Sequence, residues 1–200
     1  EVIEALPYLP SNYIKGLISN PKILEINIKY KNFAKLKEGR DNALEKGFLL
    51  PEDSKYTKGS LSYNGKNYPI RLRLKGDNLD HLKGNKWSYR IKVLDDKSIL
   101  GMKKFSLQVP EVRNFLSEPI FQKLLDQEGI PNLRYEVVSL KINGKNLGIY
   151  TIEEHFDKFL IENNLMREGI VISLNESSYW IDQIRENPKP IDFIEDYFME

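Results

Sequence analysis

The chain of 200 residues is long enough for one domain around a single core, or for a lobe of something larger. Its 30 Lys and Arg against 29 Asp and Glu leave a formal net charge of +1, which excludes a global field suited to nucleic acid or an anionic membrane. The absence of cysteine excludes disulfides, thiolate metal sites and cysteine nucleophiles, and leaves the compartment open, export included. No apolar run approaches the roughly 20 residues that a membrane-spanning helix needs. The start, EVIEALPYLP, lacks a charged-then-apolar signal and is compatible with a leader or anchor already removed.

In chain order, Lys22 to Tyr30 (KILEINIKY) alternates as a strand, and Asn32 to Lys46 reads as a polar helix ended by Gly47. After a Pro-Glu-Asp loop, Gly59 to Tyr63 and Tyr68 to Lys75 flank the turn NGKN and predict a hairpin. Lys86 to Leu94 and Lys103 to Val109 predict two more strands. Phe115 to Glu128 sets Phe115, Leu116, Ile120, Phe121, Leu124 and Leu125 on one helical face, and Gly129 stops it. Arg134 to Ile142 and Leu147 to Glu153 form a second hairpin around Asn143-Gly144, residues that tolerate the positive backbone angles of a tight turn. A helix from His155 to Leu165, a short strand from Ile170 to Leu174 and a terminal helix beyond Pro190 follow. The expected class is α+β: an antiparallel sheet with one helix packed across it, leading through a hinge into further helices.

Charge is unevenly placed. From Lys55 to Lys104 there are 13 Lys or Arg against 4 Asp, a difference of +9; from Thr151 to Glu200 there are 4 basic against 12 acidic residues, or −8. In KWSYRIKVL, Trp87, Tyr89, Ile91 and Val93 share one face while Ser88, Arg90 and Lys92 share the other. A polar-face Lys92 followed by a helix offering Glu118 suits phosphate alignment, the ammonium meeting phosphate oxygens and the carboxylate holding the ammonium. A strand lysine standing in solvent is the plainer account of the same spacing. The stretch Leu140 to Lys158 (LKINGKNLGIYTIEEHFDK) sets a hairpin before a carboxylate pair at the foot of a helix, an order that suits a hinge holding a nucleotide base.

Other chemistries lack their patterns. His81 and His155 belong to no HExxH or Cys/His motif and read as surface or capping residues, and no GxSxG marks a nucleophile elbow. Trp87, Tyr89 and Phe105 read as core residues rather than a base-stacking platform, so no nucleic-acid partner is expected.

RLRLKGD at Arg71 to Asp77, WSYRIKV at Trp87 to Val93, the FSLQ strand, the helix with Leu116-Ser117-Glu118 and RYEVVSLKINGKNLGIYTIEEHFDK, taken in that order, resemble the CotH family, the spore-coat-protein-H-like kinases. The resemblance runs over about Ser60 to Asn175. It implies an atypical protein-kinase fold, ATP with Mg as cofactors, and phosphate transfer to Ser or Thr of a protein. The fold expectation then becomes an antiparallel sheet with a packed helix resembling a protein-kinase small lobe, followed by the start of a helical large lobe. Residues 1–58 would be an extension, 59–154 the small lobe and hinge, and 155–200 the beginning of the large lobe.

By the same resemblance, Lys92 corresponds to the phosphate-binding lysine of the third kinase strand and Glu118 to its helix partner. Arg71, Arg73 and Lys75, with Gly76, match the family's basic strand and glycine turn, where they contact phosphate or support the sheet. Thr151, Ile152, Glu153 and Glu154 match the connector whose backbone meets adenine. Glu153, Glu154 and Asp157 either reach the ribose or cap the next helix through its macrodipole. There are also departures from the family. GxGxxG is absent, so Lys75-Gly76-Asp77 or Lys83-Gly84-Asn85 must serve as the phosphate turn. HRD and DFG are absent, and the metal-binding aspartates are expected beyond Glu200; Asp192 and Asp196 read as an amphipathic helix face. The alternative is a non-catalytic cell-envelope or spore-coat-like module that keeps the sheet for binding or scaffolding.

Overall fold

The computed structural model describes residues 21–76, 79–167, 169, 170 and 172. Seven strands run through it: β1 (Lys22–Asn27), β2 (Thr57–Tyr63), β3 (Lys66–Leu74), β4 (Tyr89–Val93), β5 (Lys104–Gln108), β6 (Tyr135–Ile142) and β7 (Lys145–Glu154). Three α-helices accompany them: α1 (Tyr30–Lys46), α2 (Ser117–Gln127) and α3 (Lys158–Asn163). Short 3-10 turns lie at Leu79–Leu82 and Pro110–Arg113. No helix among the described residues is long and apolar enough to cross a membrane.

Local chemistry places the hairpins. Asn64 and Gly65 take φ of 48° and 71°, and Asn143 and Gly144 take 50° and 79°, the paired positive angles of a tight two-residue turn between twisted strands. Helix α1 ends where Gly47 enters the left-handed region at φ 81° and donates its N–H to Ala43 O. Alternation then fills the interior. Leu24 and Ile26, Ile70, Leu72 and Leu74, Ile91, Phe105 and Leu107, Val138 and Leu140, and Tyr150 and Ile152 all come from inward positions and are essentially inaccessible.

The global arrangement corrects the expected fold class. The sheet is not an open kinase-like small lobe with a helix packed across it: it closes into a seven-stranded barrel in the order β1-β2-β3-β4-β5-β7-β6. Closure depends on β1, which pairs antiparallel with β2 and parallel with β6, setting Leu24 opposite Leu140 and Ile26 opposite Ile142. With both faces of the core supplied by the barrel itself, the interior has no need of a covering helix. Helix α2 does form where the periodicity places it, but Phe115, Leu116, Ile120, Phe121 and Leu124 around it stay exposed, and Gln122 is its buried residue.

It is α1 that packs closely on the barrel. Phe33 stacks on Trp87 with centroids 5.7 Å apart, and the Arg40 guanidinium lies 5.1 Å from the Trp87 ring on its way to Leu82 O and Gly84 O. These contacts fix the segment between β3 and β4, which in turn shapes one end of the barrel. The strand expected at Ile170 to Leu174 and the helix expected beyond Pro190, with Asp192 and Asp196, lie outside the described residues except for Ile170 and Ile172, which are exposed and without regular structure.

Candidate functional site

The outward positions of β3, β4, β5, β7 and β6 form cross-strand rows. In one row Arg71 stands opposite Lys92, and Lys92 opposite Lys104. In the next, Arg73 faces Arg90, Arg90 faces Ser106, Ser106 faces Glu153 and Glu153 faces Tyr135. Like charges set directly opposite each other destabilise a sheet, so the row of Arg71, Lys92 and Lys104 makes a strip that favours an anion. Arg73 is partly engaged in support: its guanidinium donates to Ser54 Oγ at 2.8 Å and lies 5.6 Å from the Tyr56 ring.

A third row holds the buried chemistry. Lys75 follows β3, its N–H donating to Ser88 O at 2.9 Å, and its side chain keeps the parity of Arg71 and Arg73. Its ammonium donates to Gln108 Oε1 at 2.8 Å and to Glu153 Oε1 and Oε2 at 3.0 and 3.2 Å. The Gln108 amide nitrogen donates to the same carboxylate. The side chains of Lys75 and Glu153 are 9% and 16% exposed, so the pair works in a low dielectric. Burial pulls the Lys75 pKa below the usual lysine range against the opposing pull of Glu153, with Arg90 and Arg113 adding to the depression.

Around this triad the polar groups are interlocked. The Tyr135 hydroxyl donates to Thr151 Oγ1 at 3.0 Å, and Thr151 Oγ1 donates to Gln108 O at 3.3 Å. Burial raises the Tyr135 pKa, and the carboxylates of Glu153 and Glu118 push the same way, which sets Glu118 within electrostatic reach of this hydroxyl. His81 is buried, its Nδ1 3.0 Å from Ser88 Oγ. Its packing requires a glycine at position 76, where φ is 109° and a Cβ would fall 2.4 Å from His81 Cδ2. Burial pushes the His81 imidazole down to about 4; Lys75 and Arg113 add to the effect and Asp80 opposes it.

The structure sorts the residues expected from sequence. Lys92 is exposed on β4, and Glu118 accepts from Gln122 Nε2 at 2.8 Å; the two form no ion pair among the described residues. Lys75, Glu153 and Thr151 do come together. Thr151 to Glu154 lie in a strand paired on both sides, with β5 and with β6, so their backbone groups belong to the two ladders. Ile152 points into the core. Glu154 turns away from Glu153 to pair with Arg134. Asp157 caps α3, its Oδ1 accepting from Phe159 N at 2.9 Å.

A family model described as CotH kinase protein matches residues 72–192, more than half of the chain. The chain belongs to the CotH family. The matched span begins within β3 and takes in the rows of cations on β4, the Lys75 triad and both strands of the second hairpin. No curated protein matches the sequence. For a CotH chain, the residues that sequence reasoning passed over are Gln108 and Tyr135, with His81 read as a surface or capping group. Gln108 ends a strand whose alternation, Phe105 and Leu107 inward, puts it on the same face as Ser106; that was the available signal. His81 had none, because its burial comes from a loop fold centred on Gly76.

Proposed function

We propose that this outer face binds ATP and that the protein is a phosphotransferase acting on Ser or Thr of a protein acceptor. Membership of the CotH family supports the reaction class. The observation that carries the binding reading is the cross-strand row of Arg71, Lys92 and Lys104, with Arg73 in the row beside it. A polyphosphate laid across these rows relieves the repulsion between them. Arg71, Arg73 and Lys92 then contact phosphate from the open side, Lys75, Thr151 and Glu153 line the inner end, and Glu118 borders it beyond Tyr135. Ile152 and Glu154 support the strand from behind.

Mg would accompany ATP, but no group of three or more His, Asp or Glu suited to a metal stands among the described residues. Two measurements on the full chain decide the reading. Mg-ATP should raise the melting temperature, and γ-labelled ATP should pass its label to Ser or Thr of a generic protein acceptor. A shift without label transfer would favour the binding or scaffold module; equal melting with and without nucleotide would sink the ATP reading.

A further inference from the structure

We propose that Asn64 is a site of spontaneous covalent modification, turning to aspartate and isoaspartate in the folded chain, and that Asn143, in the same sequence NGKN, is protected from that reaction by its hold on Ile28. Both asparagines are exposed, and each takes a positive φ together with the glycine that follows it. A Cβ built on either Gly65 or Gly144 would meet nothing within 4 Å, so the backbone that reacts is equally open in the two turns. Their side chains differ. The Asn143 amide is held at both ends, Oδ1 accepting from Ile28 N at 2.7 Å and Nδ2 donating to Ile28 O at 3.1 Å. The Asn64 side chain has no hydrogen bond among the described residues.

The chemistry needs only water and mild alkali. The Gly65 nitrogen loses its proton and attacks Asn64 Cγ; the new C–N bond closes a cyclic imide, and Nδ2 leaves as ammonia. Water then opens the imide. Opening at the side-chain carbonyl gives aspartate and opening at the backbone carbonyl gives isoaspartate, so the sum is asparagine plus water to acid plus ammonia. A following glycine favours the attack because no Cβ shields its nitrogen, and the asparagine side chain has to rotate to bring Cγ there. At Asn143 that rotation breaks both bonds to Ile28, whereas at Asn64 it breaks none. Isoaspartate also adds a methylene to the main chain inside a turn flanked by the pairs Tyr63 with Lys66 and Ser62 with Asn67. Loop length sets the geometry of a tight hairpin, so the modified β2–β3 tip loosens.

The test incubates the full chain in mildly alkaline buffer, folded and in urea, then maps its peptides by mass spectrometry and counts isoaspartate by enzymatic methylation of its carboxylate. In the folded chain the Asn64 peptide is expected to change from amide to acid about tenfold faster, or more, than the Asn143 peptide, the factor that two hydrogen bonds imply. In urea the hold on Ile28 is gone, and the two rates should converge. Asn64→Gln should remove the isoaspartate formed in the folded chain; a signal that persists at full strength places the modification elsewhere and overturns the assignment. Equal rates at the two sites in the folded chain overturn the proposal, as does an Asn64 that stays intact while folded. Rates that differ as much in urea as in the folded chain also overturn it, because the bonds to Ile28 are then not the cause of the protection.

Discussion

Arg134 and Glu154 lock the start of β6 to the end of β7. Arg134 Nε lies 2.9 Å from Glu154 Oε2, its backbone N–H donates to the same oxygen at 3.1 Å, and a terminal nitrogen reaches Oε1. The guanidinium also donates to Leu100 O and Gly101 O, so one side chain ties two strands to the β4–β5 loop. The Glu154 side chain is 1% exposed. Glu154→Ala leaves a half-buried guanidinium without its carboxylate, and the expected loss is about 1.5–3 kcal/mol in urea unfolding. A loss under about 1 kcal/mol would mean that this pair is as weak as a surface one.

His81 predicts an acid limb of stability. Its imidazole has an ordinary value of 6.5, and burial takes it to about 4 in the folded chain. Between those values the unfolded chain takes up a proton that the folded chain refuses. Stability therefore falls as pH drops through that window and changes no further from this group below it. The full window is worth on the order of 3 kcal/mol. Urea midpoints measured across the window should fall in the wild type and fall less in His81→Gln; parallel curves would contradict the assignment.

The two NGKN turns predict different mutational costs. Asn143 Oδ1 accepts from Ile28 N at 2.7 Å, its Nδ2 donates to Ile28 O at 3.1 Å, and its backbone N–H donates to Ile26 O. It is a turn residue and also a clasp on β1. Asn143→Ala loses two side-chain hydrogen bonds and strains a φ of 50°, for about 2–4 kcal/mol. Asn64→Ala meets the strain alone, at about 1–2 kcal/mol. Equal losses from the two would deny Asn143 its role at the seam.

How much of this was legible in the sequence depended on range. Hairpins at Asn64-Gly65 and Asn143-Gly144, the stop at Gly47 and the two faces of the Lys86 to Leu94 strand are local chemistry, and they read correctly. The parallel pairing of Ile23 with Ser139 joins distant segments through backbone groups that every residue has, so no side-chain pattern announces it. The site behaved the same way. The basic residues of β3 and β4 were visible as a charge excess, while the Lys75, Gln108 and Glu153 convergence needed the β5 and β7 pairing to be known. Helix α2 misled because its apolar spacing promised a buried face.

That exposed face makes a simple prediction. Ile120→Gln and Phe121→Gln remove side chains that are 55% and 54% exposed, and each should change urea stability by less than about 0.5 kcal/mol. Leu72→Ala, at a fully buried barrel position, should cost about 2–5 kcal/mol in the same assay. A large loss from either α2 variant would show that the helix contributes packing that its exposure does not suggest.

Closure through β1 bears on how an acceptor could be presented. An open sheet offers unpaired N–H and C=O groups at its margins, and an extended peptide can dock there as an additional strand. In this barrel each of the seven strands has a neighbour on both sides, from β1 against β2 round to β6 against β1. Strand addition is therefore closed to a peptide acceptor along the barrel wall. For the proposed protein acceptor, recognition would then pass through side chains and loops at the barrel's rim, a matter of surface charge and shape rather than of backbone pairing.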